Sequence, residues 1–214
     1  MVSGETGKIG IIRRSRESKT PQRTRYKDAR TAFRAALLDP AGERRILAEA
    51  ANAFQQRSDD SSISDFRRDD ALKSLEAVNA FGGMRQQFAG HDFVAAPARQ
   101  APLALGGVEV PVTLDLLIHR NEEIGGLLFR LTQFDDTETD SAASKRREMG
   151  LYAATLVLMQ ITANLAGNRR PAYPICWSVE VQSQDIHVAP RTFARRSQDM
   201  ESACRFIAAM WDRV

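Results

Sequence analysis

The stretch VEVPVTLDLLIH, residues 108–119, decides how the chain is read. Val108, Val110, Val112, Leu114, Leu116 and Ile118 are apolar at every second position, the period of a strand with one face on a core. Glu109, Thr113, Asp115, Leu117 and His119 take the opposite face. Upstream, residues 103–105 run into Gly106-Gly107. Downstream, Arg120-Asn121-Glu122-Glu123 makes a tight turn into an apolar run over residues 124–133, IGGLLFRLTQ. Together the three segments predict an antiparallel meander.

Helical spacing dominates on both sides of it. Tyr26, Ala29, Phe33, Ala36 and Leu37 share one face of a first helix, and Ile46, Leu47, Ala50, Ala51 and Phe54 one face of a second, with Pro40 in its first turn. Ser64 or Asp65 caps a third helix, which Gly82-Gly83 ends. After the meander, a polar linker over residues 134–144 caps a long helix over residues 143–165. Its predicted apolar face is Met149, Tyr152, Ala153, Leu156 and Met159 or Gln160. Residues 175–181 and 185–189 form a second hairpin, and Ser197 or Asp199 starts a last helix through Trp211. The predicted class is therefore α+β, in an α/β/α-like arrangement: N-terminal helices, a three-stranded antiparallel meander, a long helix, a second hairpin and a C-terminal helix.

With 214 residues, 43% of them hydrophobic and 27% charged, the chain fits one sizeable soluble domain and excludes collagenous, disulfide-scaffold and wholly disordered classes. We place that domain at residues 25–214, a helical front part over 25–82 and a sheet core over 83–214, because about sixty helical residues alone bury too little surface. Residues 1–24 read as a mobile basic arm without regular period. Between Lys8 and Arg34 ten cations face two acids, a local +8, so that the rest of a chain at +3 overall carries −5. Such an arm can neutralise phosphates, which makes nucleic acid one candidate partner and a protein surface another. Cys176 and Cys204 lie far apart in apolar surroundings, as reduced thiols of a cytoplasmic protein do, and no run reaches the length of a membrane span.

Asp115 carries the chemical interest, since a carboxylate between Leu114 and Leu116 needs a cation, a metal or backbone donors. Its simplest partner is an arginine, and Arg130 is the candidate. Glu148 and Tyr152, four residues apart, share a helix face. His91, His119 and His187 have no zinc spacing, and neither a phosphate-cradling glycine loop nor a nucleophile elbow occurs.

This layout resembles the PD-(D/E)XK nuclease superfamily, in particular the nuclease domains of recombination helicases. The resemblance covers about residues 65–214 and rests on Asp115 in Val112-Thr-Leu-Asp115, on Glu148-Met-Gly-Leu-Tyr152, which is similar to the family's Gln-x-x-x-Tyr, and on the later hairpin. It implies a Mg²⁺- or Mn²⁺-dependent DNA phosphodiesterase with Asp115 and Glu148 as metal ligands and Arg130 and Tyr152 in the site. The family's Glu-x-Lys, however, reads Leu128-Phe129-Arg130. Without that acid a metal loses a ligand beside Asp115, and Arg130, always protonated, cannot exchange a proton as a lysine does. Glu148 or Glu76 would have to supply the missing carboxylate. The expectation is thus a nuclease-like protein that acts on or binds nucleic acid with catalysis impaired or lost, or else a non-catalytic interaction module on the same fold.

Overall fold

In the computed structural model the described residues are 5–16, 25–132 and 139–213. They form an α+β fold. Helices α1 (Glu5–Arg16), α2 (Lys27–Leu38), α3 (Glu43–Asp59), α4 (Asp65–Gly83) and the single turn α5 (Arg85–Phe88) come first. Strands β1 (Asp92–Ala95), β2 (Leu103–Leu105), β3 (Val108–Val110), β4 (Leu116–Arg120) and β5 (Glu123–Arg130) follow. Helix α6 (Asp140–Gln160), running on into a π-helical turn at Ile161–Leu165, then leads to β6 (Arg170–Glu180), β7 (Asp185–Val188) and α7 (Ala194–Met210).

The run over residues 108–119 is not one strand. Pro111 has no N–H to give a ladder and ends β3, which pairs only with β2 in a separate two-stranded sheet. The chain resumes pairing at Leu116, and the meander is β1-β4-β5, with β1 and not residues 103–105 as its outer strand. Asp115 therefore stands at the entrance to β4 instead of mid-strand. From Leu114 to Ile118 every residue is buried, so the predicted alternation of a core face and an open face does not hold there. The turn into β5 is as predicted, with Asn121 in the left-handed region at φ 53°.

The five-stranded sheet has the order β1-β4-β5-β6-β7, and only β5 and β6 are parallel. A parallel neighbour needs a crossover, which α6 supplies. On one face Phe33 of α2 stacks on Phe81 of α4 at 4.3 Å, and both meet the edge of Phe129 of β5. The helical front part and the sheet thus share one core, which continues through Leu116, Ile118, Leu127, Ile175 and Val179. On the other face α6 packs Ala154, Val157, Leu158 and Ile161 against Leu114, Leu117, Ile124 and Cys176.

Several boundaries move. Pro40 lies in a turn ahead of α3, where the Asp39 carboxylate accepts the Gly42 N–H at 3.0 Å. Helix α6 starts three residues early, at Asp140, capped by the Thr139 hydroxyl, and α7 starts at Ala194. The packed stripe of α6 is Gly150, Ala154, Thr155, Val157, Leu158 and Gln160, while Met149 is 60% exposed. Because α6 is apolar almost all round beyond Met149, apolar spacing does not select a face; the sheet does, where Gly150 leaves room for the His187 ring. The greatest departure is α1. Residues 5–16 are helical, with Ile12 only 4% exposed and the helix set against α7, so the arm read without regular period contains a docked helix. Residues 1–4 and 17–24 of that arm lie outside the described residues. No helix among the described residues is long and apolar enough to cross a membrane.

Candidate functional site

The end of the sheet where β4 begins and β5 and β6 finish collects the polar residues that the core does not explain. Strand β5 runs on to Arg130, but β4 starts only at Leu116, with the Asp115 N–H bonded to the Leu127 carbonyl at 2.8 Å. Beyond that point no strand among the described residues lies on the β4 side of β5. Side chains take over: the Asp115 carboxylate accepts the Phe129 N–H at 2.8 Å, and the Arg30 guanidinium donates to the Phe129 carbonyl at 2.8 Å. Arg30, reaching in from α2, also grips both Asp115 oxygens at 3.1 and 3.2 Å. One ion pair thereby pairs both backbone groups of a residue that has lost its ladder. Gln100 does the same one step earlier, its side-chain oxygen accepting from the Leu114 N–H and its nitrogen donating to the Leu114 carbonyl.

Asp115 is 4% exposed. Burial pushes its carboxyl above the usual carboxylate range, against the opposing pull of Arg30, the Phe129 amide and Arg34. Arg34, exposed on the next turn of α2, adds a second positive charge at this mouth.

On the other side of β5, Arg130 lies beside Glu180 of β6, its cross-strand neighbour. The two charges meet at 3.0 Å, outside hydrogen-bonding angles, with Glu180 1% and Arg130 12% exposed. Glu180 also accepts from the Thr132 hydroxyl and, more weakly, from the Thr132 N–H at 3.4 Å. His187 of β7, next in line, has its ring over Gly150 and a buried Nε2 without a hydrogen-bond partner. Burial, with help from Arg130 and Arg147, holds its pKa below the ordinary histidine value against Asp185 and Glu180.

Glu148 and Tyr152 do share a face of α6, as their spacing implies, but that face engages α7. Arg196 donates to both Glu148 oxygens at 3.0 and 3.2 Å and sits 5.6 Å from the Tyr152 ring centre. The Tyr152 hydroxyl donates to Asp199 at 2.9 Å, and burial together with that bond raises its pKa. The four residues singled out from sequence are thus split among three ion-pair groups: Asp115 with Arg30, Arg130 with Glu180, and Glu148 and Tyr152 with Arg196 and Asp199. The expected Asp115–Arg130 pair does not form: Arg130 shares the α6 face of β5 with Leu128 and meets Glu180, whereas Arg30 reaches Asp115 from α2, on the Phe129 face. Nor do Asp115 and Glu148 form a ligand set for Mg²⁺ or Mn²⁺. Among the described residues no group of three or more His, Cys, Asp or Glu side chains could hold a metal ion, and Glu76 is exposed on α4. The donors present do not fit the cation that the resemblance implies.

Sequence reasoning missed Arg30, Glu180 and His187. Glu180 carried the same signal as Asp115, an acid inside an apolar run, Trp177-Ser-Val-Glu-Val181. Arg30 was hidden in the count of basic residues. Two cations of that count are in fact ion-paired in the body, Arg25 with Asp69 and Arg30 with Asp115. No family model, curated protein or solved structure matches this chain.

Proposed function

We propose that this chain is a nuclease-like protein that binds nucleic acid through the phosphate backbone and does not cut it. Support for the reading comes from the succession of a three-stranded meander, a long helix and a further strand, the layout on which the PD-(D/E)XK resemblance rests. The observation that carries the loss of cleavage is the closure of Asp115 by Arg30 and the Phe129 N–H, with an apolar Leu128 at the acid position. A buried carboxylate already matched to a guanidinium offers a hydrated divalent cation neither net charge nor open coordination sites. Arg34, exposed on the next turn of α2 at the same mouth, favours contact with phosphate. A reducing, cytoplasmic setting belongs to the same reading, because Cys176 and Cys204 are both buried and unpaired.

The test incubates the full chain with linear duplex and single-stranded DNA plus Mg²⁺ or Mn²⁺, and runs gel shifts at about 50 and 300 mM salt. Binding that falls steeply with salt, weakens in Arg34→Glu and leaves the DNA uncut is expected. Metal-dependent cuts abolished by Asp115→Ala overturn the silent reading, and absence of binding at the lower salt removes nucleic acid altogether. One observation favours the protein-interaction alternative. The groove between α1 and α7, about 200 Å³ and almost wholly apolar, leaves Ile11 51% and Trp211 41% exposed.

A further inference from the structure

The sheet order leaves β7 at an edge, and among the described residues no strand pairs with its outer side. The Ala189 N–H points back to the Cys176 carbonyl at 2.9 Å, in register with the β6–β7 ladder. Residues of an antiparallel strand alternate in the direction of their backbone groups, so Asp185 and His187 face β6 while the N–H and C=O of Ile186 and Val188 face outward. Natural proteins usually cover or blunt such an edge. Here it borders a groove of about 690 Å³ between β7 and the first turns of α6.

The groove has the parts that would recognise an added strand. Ile186 and Val188 provide two outward donors and two outward acceptors, and the Leu151 side chain lines the wall on α6. Arg147 of α6 stands over it, exposed, and Asp185, at the far end of the strand, is the one acid among the described lining residues. His187 faces the groove from the α6 side of the sheet. Burial and the arginines hold its pKa down, so it adds little positive charge near neutrality.

From this geometry we infer that the outer edge of β7 accepts an extended, acidic peptide segment of a partner protein as a sixth strand. Its backbone pairs with Ile186 and Val188, an apolar side chain fits beside Leu151, and a carboxylate reaches Arg147. With only two outward-facing residues, the pairing is short and spans about four residues of the ligand. The inference does not depend on the nuclease-like reading, since it uses neither Asp115 nor the mouth at Arg34.

The test titrates a fluorescein-labelled octapeptide of alternating valine and glutamate into the full chain. Two further peptides accompany it, one with lysine for glutamate and one with alternate backbone amides N-methylated. Saturable binding of the acidic peptide below about 1 mM is expected, with loss in both analogues and slowed hydrogen exchange at the Ile186 and Val188 amides. Arg147→Glu, an exposed change, weakens binding by about tenfold or more, a loss on the order of one charge-assisted hydrogen bond. Val188→Pro, which removes an outward N–H, abolishes it. The inference is overturned if the acidic peptide fails to bind, if the N-methylated peptide binds equally well, or if Arg147→Glu leaves binding unchanged. It is equally overturned if a single-stranded oligonucleotide, and no peptide, protects those two amides, which assigns the groove to phosphate.

Discussion

Arg30→Ala isolates what holds the sheet end together. Removing one partner from a buried ion pair costs about 3–5 kcal/mol, because the remaining charge stays buried without compensation. Here the Asp115 side chain is 4% exposed but that of Arg30 is 38%, and water around the guanidinium brings the expected loss down to about 2–3 kcal/mol at neutral pH. In a chain of this size that is a fall in Tm of about 4–12 °C. The pH dependence separates the pair from mere packing. Burial raises the folded-state pKa of Asp115 in the native protein, so this group's contribution to stability is fully present below its unfolded pKa, about 3.9, and is lost as pH rises through the folded value. Arg30 opposes that rise. Without it the folded pKa climbs further, the window widens upward, and the gap between variant and wild type grows from about pH 4 to pH 7. As pH falls and Asp115 takes up its proton in both proteins, the difference shrinks toward the loss of the Arg30 bond to the Phe129 carbonyl, worth about 1 kcal/mol. Urea unfolding of both proteins at the two pH values, with Arg30→Ala/Asp115→Asn as a third, measures it. The double variant should regain the pH-dependent part, since an amide oxygen can still accept the Phe129 N–H. A gap of equal size at both pH values, or a larger one in acid, refutes the reasoning.

Three further changes probe the same frame. Glu180→Ala leaves Arg130, 12% exposed, facing no charge, and should cost about 3–5 kcal/mol in urea unfolding; adding Arg130→Met should recover most of it. Gly125→Ala puts a Cβ onto the Ile175 carbonyl at the irregularity of the parallel β5–β6 ladder, so expression of folded protein, read by circular dichroism, should fall sharply. Burial pushes the Cys176 thiol up to about 12, so in the folded chain at pH 8 a disulfide reagent should leave it unmodified, whereas in denaturant both cysteines react; rapid labelling of Cys176 in the native state would contradict the packing.

The α+β class and the succession of front helices, strands, long helix, hairpin and last helix are legible in the sequence because Phe33, Phe54 and Phe81 each belong to a stripe at helical spacing and turn residues punctuate the strands. What is not legible has a physical reason in each case. Pro111 breaks an apolar alternation that otherwise continues through it, since side-chain period says nothing about the missing N–H. Strand β1 lies more than twenty positions before β4 with no tight turn to join the two, whereas residues 103–105 run straight into Gly106-Gly107, so nearness in sequence favours the wrong partner. Helix α1 is held by what Ile12 touches on α7, a contact remote in sequence. At the site, the need of Asp115 for a cation is readable from its flanks, but the identity of that cation is not, because Arg30 lies 85 positions away.

The two pairs flanking β5 are not equivalent. Glu180 and Arg130 belong to neighbouring strands already joined by backbone bonds, and a matched apolar pair in their place would cost chiefly the Thr132 hydroxyl's bond to Glu180. Arg30 and Asp115 cannot be exchanged in that way. Between them they pair the N–H and the carbonyl of Phe129, and a leucine and a methionine of similar volume would leave both groups buried and unpaired at about 1–3 kcal/mol each. An acid at the start of β4 therefore has a structural reason to persist whether or not a metal ever sits beside it. Its presence alone carries no argument for cleavage; that argument needs a second carboxylate on β5, where Leu128 stands.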